Sequence, residues 1–366
     1  MTIRVAIIGC GKQADAHASI IQKIGDCEIV GACDREKLMA KQLFERYPIK
    51  DYFDSVEDML ADCKPEIVHI TTPPHSHLDL GKLCIEAGCH VFFEKPFTLH
   101  TIQAEEILKL AEKNNRKVTV GHNNQFNGAT ICMREFIRNG LLGGRPLHME
   151  SIWCYDLGDQ RFAKSFLSDA NHWLRKLPGK LLHNIINHGI AKIAEYLPTD
   201  KPNVIAKGYR SQTLVAIDER EIIDELRVII DDQCDTTAYF TFSTQIKPLM
   251  RLFRVHGRKR SIAVDDMHQT VINICDTDYK SYLNHVVPPL KYAKQYLNSS
   301  LKNFGKFLTR DLHFESGRKV LIESFYRSVI EDLPPPIPYR EILLTSKIMD
   351  EIFKQLDFAS KQKTSD

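Results

Sequence analysis

The stretch RVAIIGCGKQA, residues 4–14, decides the fold of this chain. It begins as an apolar run of strand length, breaks at Gly9 and Gly11, and continues into the helix-like DAHASIIQKIG. Such a turn is typical of a dinucleotide pyrophosphate site, because glycine lets the backbone approach the phosphates and the following helix offers free N–H groups. Ala14 is small enough for close packing of that helix. Two glycines in a turn are a weak signal alone, so the surroundings decide.

A second strand-like run, EIVGACD of residues 28–34, ends in Asp34, 25 positions after Gly9. A carboxylate there accepts hydrogen bonds from ribose hydroxyls and repels a 2′-phosphate, which favours NAD. Arg35 can still cover such a phosphate, so NADP stays an alternative, and Asp34 can also be a strand-end cap. The predicted cofactor-binding residues of this part are Gly9, Cys10, Gly11, Lys12, Gln13, Asp34 and Arg35.

Strand-like and helix-like stretches alternate as far as about residue 122. This alternation predicts βαβ units in a doubly wound parallel sheet, with ligands at the carboxyl ends of the strands. After about residue 200 the strand-like runs 225–231, 236–244, 248–257 and 261–265 follow one another without helices and predict an antiparallel meander. Helical patterns return at 317–333 and 339–356.

We therefore predict an α/β protein of two domains. Residues 1–123 form the dinucleotide-binding domain, and residues 124–366 form an α+β domain with an open, mainly antiparallel sheet. The terminal helices are free to pack back on the first domain. The length of 366 residues also favours two domains, because a single hydrophobic core rarely stabilises a chain this long.

Composition narrows the partners and the compartment. Lys plus Arg number 49 against 47 for Asp plus Glu, a net charge of +2, which argues against nucleic acid as a partner. Ten cysteines are scattered without a CxxC pair, as in proteins that keep reduced thiols. No run approaches the roughly 18 apolar residues of a transmembrane helix. We expect a cytoplasmic protein.

Three further motifs occur in a fixed order: TTPPHSH at 71–77, EAGCHVFFEKP at 86–96 and PGKLLHNIINHG at 178–189. Together with the meander and the terminal helices, this layout resembles the Gfo/Idh/MocA oxidoreductase family over nearly the whole chain. The resemblance implies an amino-terminal Rossmann domain and a second domain whose open sheet forms the substrate site and an oligomer interface. It also implies hydride transfer between a nicotinamide and a sugar or polyol carbon, in a homodimer or homotetramer.

Carried over by this resemblance, Thr72, Pro73 and His77 lie in the loop on the nicotinamide side. Glu94 and Lys95 match the family's EKP motif, and the resemblance implies a cis peptide before its proline. An ammonium at Lys95 can hydrogen-bond the reacting oxygen and relay a proton if burial lowers its pKa. The HxH of TTPPHSH is interpreted as part of a loop and helix cap, and no metal site is predicted.

The sequence departs from the family at the helix that usually carries a catalytic Asp and His four residues apart. Here His183 and Asn187 occupy those positions, on one helix face. His188, one position further round, would need a shifted register to serve as the base.

Three hypotheses follow from this departure. His183 is the acid/base and Asn187 orients the substrate; or Lys95 carries the proton while both helix residues bind substrate; or the protein binds a dinucleotide without turnover, as a sensor or scaffold. Transient redox with tightly bound NAD, in an epimerase or eliminase, is a further alternative.

The predicted substrate is a sugar, a polyol or a sugar nucleotide. Gln125 stands near the position where many relatives have Arg, which argues against a carboxylate substrate, and Asn123 suits hydroxyl groups. Trp173 is either a stacking surface for a sugar or base or a packed loop aromatic, and Arg175 can meet a phosphate. These residues and His188 are the weaker substrate candidates.

An amphipathic basic stretch covers residues 289–310. No acidic residue occurs from 290 to 310, and lysines oppose an apolar stripe formed by Leu290, Ala293, Leu297, Leu301, Phe304 and Leu308. Three interpretations stay open. The helix caps the substrate site and attracts a diphosphate, or residues 290–308 contact an anionic membrane surface, or the apolar stripe packs on the sheet and leaves the lysines in water.

Overall fold

The computed structural model describes residues 2–158, 163–274, 279–308 and 316–362. It divides the chain into two compact units. The first unit comprises Met1–Gly121 with Lys319–Ser346, and the second comprises His122–Arg318 with Lys347–Asp366. The chain thus leaves the first unit near the predicted boundary and returns to it through a helical segment close to its end.

The first unit contains a parallel six-stranded sheet, which confirms the predicted doubly wound architecture. Its strands are β1 (Ile3–Ile8), β2 (Cys27–Cys33), β3 (Tyr52–Phe53), β4 (Ile67–Ile70), β5 (His90–Phe93) and β6 (Val118–Val120), in the order β3-β2-β1-β4-β5-β6. The crossover helices are α1 (Lys12–Ile21), α2 (Lys37–Arg46), α3 (Val56–Cys63), α4 (His77–Glu86) and α5 (Thr101–Lys113). Strand order reverses between β1 and β4, where sheets of this type bind their ligands.

The strands of this sheet are apolar because helices cover both faces. In β4 and β5 nearly every side chain is buried. The short strand β3, which escaped the sequence analysis, pairs with β2 through only two residues.

The second unit is built on a seven-stranded sheet. Its strands are β7 (His148–Cys154), β8 (Asn203–Tyr209), β9 (Glu225–Asp231), β10 (Thr237–Ser243), β11 (Arg251–His256), β12 (Ser261–Asp265) and β13 (Thr270–Ile274). The helices of this part of the chain are α6 (Gly128–Arg138), α7 (Ala163–Ser168), α8 (Lys180–Ile185), α9 (Asn187–Tyr196), α10 (Gln212–Ala216) and α11 (Val287–Leu308). Two terminal helices follow, α12 (Ser316–Ile330) and α13 (Tyr339–Gln362).

The predicted meander is wrong at one point. The sheet order is β13-β12-β11-β7-β10-β9-β8, so β7 lies between β10 and β11. β7 pairs parallel with β10 and antiparallel with β11, and all other pairs in this sheet are antiparallel. Alternating apolar residues identify a strand, but they do not identify its neighbour when that neighbour comes from a distant part of the sequence.

One face of this sheet is covered by α9. A Cβ added to Gly189 would lie 2.4 Å from a ring carbon of Phe240 and 2.9 Å from Ser151 Oγ, so glycine permits the close approach of helix and sheet. Lys192, on the same helix, forms a buried ion pair of 2.5 Å with Asp266. No helix within the described residues is long and apolar enough to cross a membrane.

Candidate functional site

The glycine turn after β1 can be made only by glycine. Gly9 has φ +88°, and a Cβ at this position would lie 2.6 Å from Thr72 Cγ2 and 2.9 Å from the Thr72 backbone nitrogen. Thr71 Oγ1 donates a hydrogen bond of 2.5 Å to the Gly9 carbonyl oxygen. The carboxyl ends of β1 and β4 are therefore joined at the switch point of the sheet.

Helix α1 starts directly behind this turn with its first N–H groups uncapped. Gly11 is the N-cap and provides no side-chain acceptor, and a Cβ placed on it would meet nothing within 4 Å. Lys12 and Gln13 begin the helix. Open space beside an uncapped helix N-terminus fits the pyrophosphate of a dinucleotide, because the N–H groups and the helix dipole both favour an anion there.

Asp34 links this turn to the end of β2. Its Oδ2 accepts a hydrogen bond of 2.7 Å from Cys10 N, and its Oδ1 accepts one of 3.0 Å from Glu36 N. Asp34 is thus a strand-end cap, as one of the alternatives held. A carboxylate has about four acceptor positions, so these two bonds leave capacity for ribose hydroxyls. Arg35 is exposed beside it.

The loop after β4 is fixed from inside. Ser76 Oγ donates to Thr72 Oγ1 at 2.8 Å and to the Pro73 carbonyl oxygen at 2.9 Å. His77 is fully buried, and its two ring nitrogens lie 2.9 Å from the carbonyl oxygens of Thr72 and Phe97. Burial lowers the pKa of His77, although both carbonyls oppose the shift. His77 therefore shapes the loop from inside, whereas Thr72 and Pro73 are only half-buried.

The EKP motif follows β5 at the same edge of the sheet. The Lys95–Pro96 peptide bond is cis, which confirms that implication of the resemblance. Lys95 is half-buried, whereas Glu94 is 3% exposed and accepts a hydrogen bond of 3.0 Å from Lys95 N through its Oε2. The carboxylate thus holds the backbone from which the Lys95 side chain extends.

Glu94 is also the end of a buried hydrogen-bonded chain of titratable groups. Its Oε1 lies 2.9 Å from His17 Nε2, His17 Nδ1 lies 2.7 Å from His69 Nδ1, and His69 Nε2 lies 2.8 Å from Tyr326 Oη. One set of protons satisfies all of these contacts, with each group donating toward Glu94, both histidines neutral and the carboxylate ionised. Burial lowers the pKa of His69 and raises that of Tyr326, so the His69 ring and the Tyr326 hydroxyl stay uncharged.

Sequence reasoning missed this chain of four side chains, which we call the Glu94 chain. Its members come from α1, β4, the end of β5 and α12. The one available signal was His69, which interrupts the apolar run of β4 and must have a partner if buried. Nothing in the sequence indicates that the partner lies on a helix near the other end of the protein.

In the second unit the helix predicted around PGKLLHNIINHG is broken at Ile186 into α8 and α9. Asn187 Nδ2 donates to the carbonyl oxygens of His183 at 3.1 Å and Asn184 at 3.0 Å. Side-chain bonds to the preceding turn are a known cause of helix bending. Asn187 Oδ1 is buried and has no hydrogen-bond partner among the described residues, so it is an acceptor to which a ligand hydroxyl can donate.

His183 lies against an aromatic ring. It is 2% exposed, and its ring stacks on Phe353 of α13 with centroids 5.0 Å apart and planes 20° from parallel. A Cβ on Gly179 would lie 2.1 Å from Phe353 Cε1, so the glycine before α8 makes room for that ring. His188 stacks instead on Trp153 of β7, with centroids 5.2 Å apart.

Two of the weaker substrate candidates are engaged inside the second unit. Gln125 is 2% exposed and donates to Glu195 Oε2 at 3.2 Å. Glu195 is held by Arg134 in a two-pronged ion pair of 2.6 and 2.9 Å, and Arg134 also donates to the Gln125 carbonyl oxygen. A cation thus stands near Gln125 after all, supplied by α6, which the sequence analysis did not foresee.

Arg175 is similarly engaged. Its Nη2 lies 2.5 Å from Glu219 Oε2, and its Nε donates to the Phe166 carbonyl oxygen at 2.8 Å. A phosphate would have to compete with Glu219. Trp173 is half-buried at the start of a 3₁₀ turn, and Asn123 Oδ1 is a second buried oxygen without a hydrogen-bond partner in the described ranges.

Among the described residues, no group of three His, Cys, Asp or Glu side chains is arranged to hold a metal ion.

The first unit combines a parallel sheet, a glycine turn at its switch point and a carboxylate at the end of β2. Together these features define a dinucleotide-binding protein. Residues 3–122 match the family model described as "Oxidoreductase family, NAD-binding Rossmann fold". This match covers the dinucleotide-binding part of the chain and agrees with the family resemblance that the sequence motifs predicted.

Known proteins share different parts of the chain. D-glucoside 3-dehydrogenase of Escherichia coli is 36% identical over 142 residues, which cover 38% of this chain and 40% of that protein. Inositol 2-dehydrogenase of Salmonella typhimurium is 26% identical over 305 residues, 79% of this chain and 88% of that protein. The chain spans about two-fifths of the length of the first of these relatives.

The fold extends over the whole chain. The solved structure of the WlbA dehydrogenase from Bordetella pertussis, a complex with NADH and UDP-GlcNAcA, matches with a TM-score of 0.75 and 16% identity, covering 96% of this chain and 95% of that one. At that identity the likeness establishes the shared fold.

Proposed function

We propose that this protein transfers hydride between NAD(H) and a hydroxyl-bearing carbon of a sugar, polyol or sugar nucleotide. One observation carries the proposal. The glycine turn, the Thr72 loop and Lys95 follow the carboxyl ends of β1, β4 and β5, which are consecutive strands of one sheet. A dinucleotide site and an amine suited to proton transfer therefore share one edge of the first unit.

In this proposal the turn at Gly9 and Gly11 holds the pyrophosphate and Asp34 holds the ribose. NAD, when bound, supplies a nicotinamide ring that accepts or donates hydride. The chain's own residues do the rest: Lys95 hydrogen-bonds the substrate oxygen and moves its proton, while Glu94 fixes the Lys95 backbone.

We favour Lys95 over His183 as the proton-transfer group. The His183 ring is 2% exposed and covered by Phe353, whereas Lys95 is half-buried at a strand end. His183 then positions the α8–α9 segment, and Asn187 Oδ1 accepts a hydrogen bond from a substrate hydroxyl.

The names of the relatives support a polyhydroxylated ring as substrate. They describe dehydrogenation of a glucoside and of inositol, and the solved neighbour is a complex with NADH and UDP-GlcNAcA. In the second unit, Asn123 and Asn187 offer acceptors to hydroxyl groups. Trp173 is our candidate for stacking on the ring of the sugar.

The test is NADH formation by the purified protein with NAD and a panel of glucosides, inositols and UDP-sugars. Lys95→Met is expected to lower kcat by about 100-fold or more while NADH binding, followed by fluorescence, is retained. Lys109→Met, at an exposed lysine of α5, is the matched control and leaves both unchanged.

Two results would overturn parts of this proposal. Lys95→Met is expected to lose turnover under this proposal, so full turnover by that variant would contradict it. If His183→Gln then altered the pH dependence of kcat, proton transfer would be assigned to His183 instead of Lys95. NADH binding that no sugar of the panel perturbs, in absorbance or in fluorescence, would favour the sensor alternative over the enzyme.

We also infer that copies of the chain associate through the outer face of the seven-stranded sheet. Ile205, Ile229 and Tyr239 are register neighbours on β8, β9 and β10 and are 55%, 45% and 51% exposed. A contiguous apolar row of this kind is typical of a protein interface. Light scattering tests this: Ile229→Lys should yield monomers, and Ile217→Lys, at an exposed site outside the sheet, should not.

The compartment is a smaller part of the proposal. We propose the cytoplasm, because the described cysteines are free thiols and several are buried, as in proteins that fold under reducing conditions. Fractionation of cells that carry a tagged chain would test it.

A further inference from the structure

Helix α11 packs on the second unit through its polar side. Gln295 Oε1 accepts from Asn273 N at 2.7 Å, and Gln295 Nε2 donates to the Asn273 carbonyl oxygen at 3.0 Å. Eight residues on, Asn303 Nδ2 donates to the His268 carbonyl oxygen at 2.9 Å. Tyr292 and Ser299 are half-buried on the same side. The interpretation that the apolar stripe packs on the sheet is therefore wrong.

The apolar stripe faces away from the unit instead. Its large members are about 60% exposed: Leu290 65%, Leu297 60%, Leu301 60%, Phe304 59% and Leu308 65%. Their spacing of seven, four, three and four residues places them on one face of the helix. A row of this length that the described part of the chain leaves exposed is unusual on a protein that has no partner there.

Aromatic and apolar side chains extend the stripe. Tyr296 and Phe307, 53% and 63% exposed, widen one of its edges, and Tyr282 and Val286, 67% and 52% exposed, continue it before the helix begins. We call these residues, with the stripe, the α11 face. Tyrosine and phenylalanine at the boundary of an apolar surface are typical of segments that lie in a membrane interface.

The charge along α11 has one sign. Lys291, Lys294, Lys302 and Lys306 are exposed, and no acidic residue occurs in Val287–Leu308. On a helix of 3.6 residues per turn, Lys294 lies next to Leu290 and Leu301, and Lys291 and Lys302 lie further round on the same side. Lys306 lies on the side that packs on the second unit, with its Nζ at Gly128. An apolar face flanked by lysines, with no carboxylate, is the pattern of a helix that lies on anionic lipid.

We propose that the α11 face docks the chain on the surface of an anionic phospholipid bilayer. Charge decides between this occupant and a second copy of the chain. Two α11 helices placed face to face would bring together the same lysines, with no carboxylate on either helix to pair with them. Phosphate headgroups supply the missing negative charge, and the outer acyl region accepts the leucine and phenylalanine side chains.

The experiment uses the full chain and vesicles of phosphatidylcholine, with or without phosphatidylglycerol. Co-sedimentation is expected only with the anionic vesicles and should weaken as salt is added. Each lysine replaced by glutamine should lower the partition coefficient about fivefold, so Lys294→Gln with Lys302→Gln should lower it about 25-fold. Lys109→Gln, on α5 of the other unit, is the control and should have no effect.

A second pair of variants tests the apolar part. Leu301→Ser with Phe304→Ser should abolish binding to the anionic vesicles, whereas the fold, followed by circular dichroism and by NADH binding, should stay intact because both side chains are exposed. No binding of the wild type to either vesicle would overturn the proposal. So would light scattering in which this double variant dissociates an oligomer, since α11 would then join copies of the chain.

Discussion

Replacement of Tyr326 by phenylalanine tests the Glu94 chain at its far end. Tyr326 is 2% exposed, and its hydroxyl lies 2.8 Å from Nε2 of the fully buried His69. Phenylalanine keeps the ring, which packs edge-on against the imidazole at 5.8 Å between centroids. The variant therefore removes one oxygen atom and leaves the packing in place.

The expected loss follows from what remains. With both histidines neutral and donating toward Glu94, His69 Nε2 is an acceptor, and without the hydroxyl it stays buried and unsatisfied. A buried polar atom in that state costs about 1–3 kcal/mol. For a unit of this size each kcal/mol lowers the melting temperature by about 2–4 °C, so we expect Tyr326→Phe to melt about 2–12 °C earlier.

The assay is thermal unfolding followed by calorimetry, with Tyr296→Phe as the control because that tyrosine is 53% exposed on α11. A melting temperature of Tyr326→Phe within about 1 °C of the wild type would refute the claim that the buried His69 ring depends on this hydrogen bond.

Three further outcomes are expected. Gly179→Ala forces a Cβ toward Phe353 at 2.1 Å, so overpacking should lower the free energy of unfolding by about 1–3 kcal/mol in denaturant titration; an unchanged midpoint would contradict the contact. Asp266→Asn leaves the buried ammonium of Lys192 without its carboxylate. This should lower the free energy of unfolding by about 3–5 kcal/mol, far more than the loss of an exposed ion pair would. Burial lowers the pKa of His90 to about 4, so the unfolded chain binds a proton at a higher pH than the folded protein does. The free energy of unfolding should therefore decrease as the pH is lowered from about 6.5 to 4. His90→Gln should make this decrease smaller, and an equally large decrease in the variant would exclude His90 as its source.

The first unit was predictable because its signals are local. A strand, a glycine turn and a helix lie within twenty residues, and Asp34 and EKP each close a strand, so the parallel sheet brings them to one edge without further information. The place of β7 was not predictable, since its two neighbours in the sheet come from sequence about ninety residues away or more.

The site shows the same division. Gly9, Asp34 and Lys95 came from motifs, whereas Tyr326 reaches His69 across 257 positions of sequence, with no motif to mark it. The orientation of α11 was open for a different reason. Periodicity shows that a helix has an apolar face. Only the contacts of Gln295 and Asn303 show that the opposite, polar face packs on the second unit.

The return of the chain to the first unit determines how late in synthesis that unit can be completed. Tyr326 completes the Glu94 chain, and Lys117 Nζ lies 2.7 Å from both the Ser328 carbonyl oxygen and Asp332 Oδ1. A ribosome has therefore synthesised residues 122–318 of the second unit before the residues that finish the first have emerged. The cofactor unit begins the sequence but is completed only close to its end, so residues 1–121 expressed alone should lack the partners of His69 and Lys117 and fail to give a stable fold.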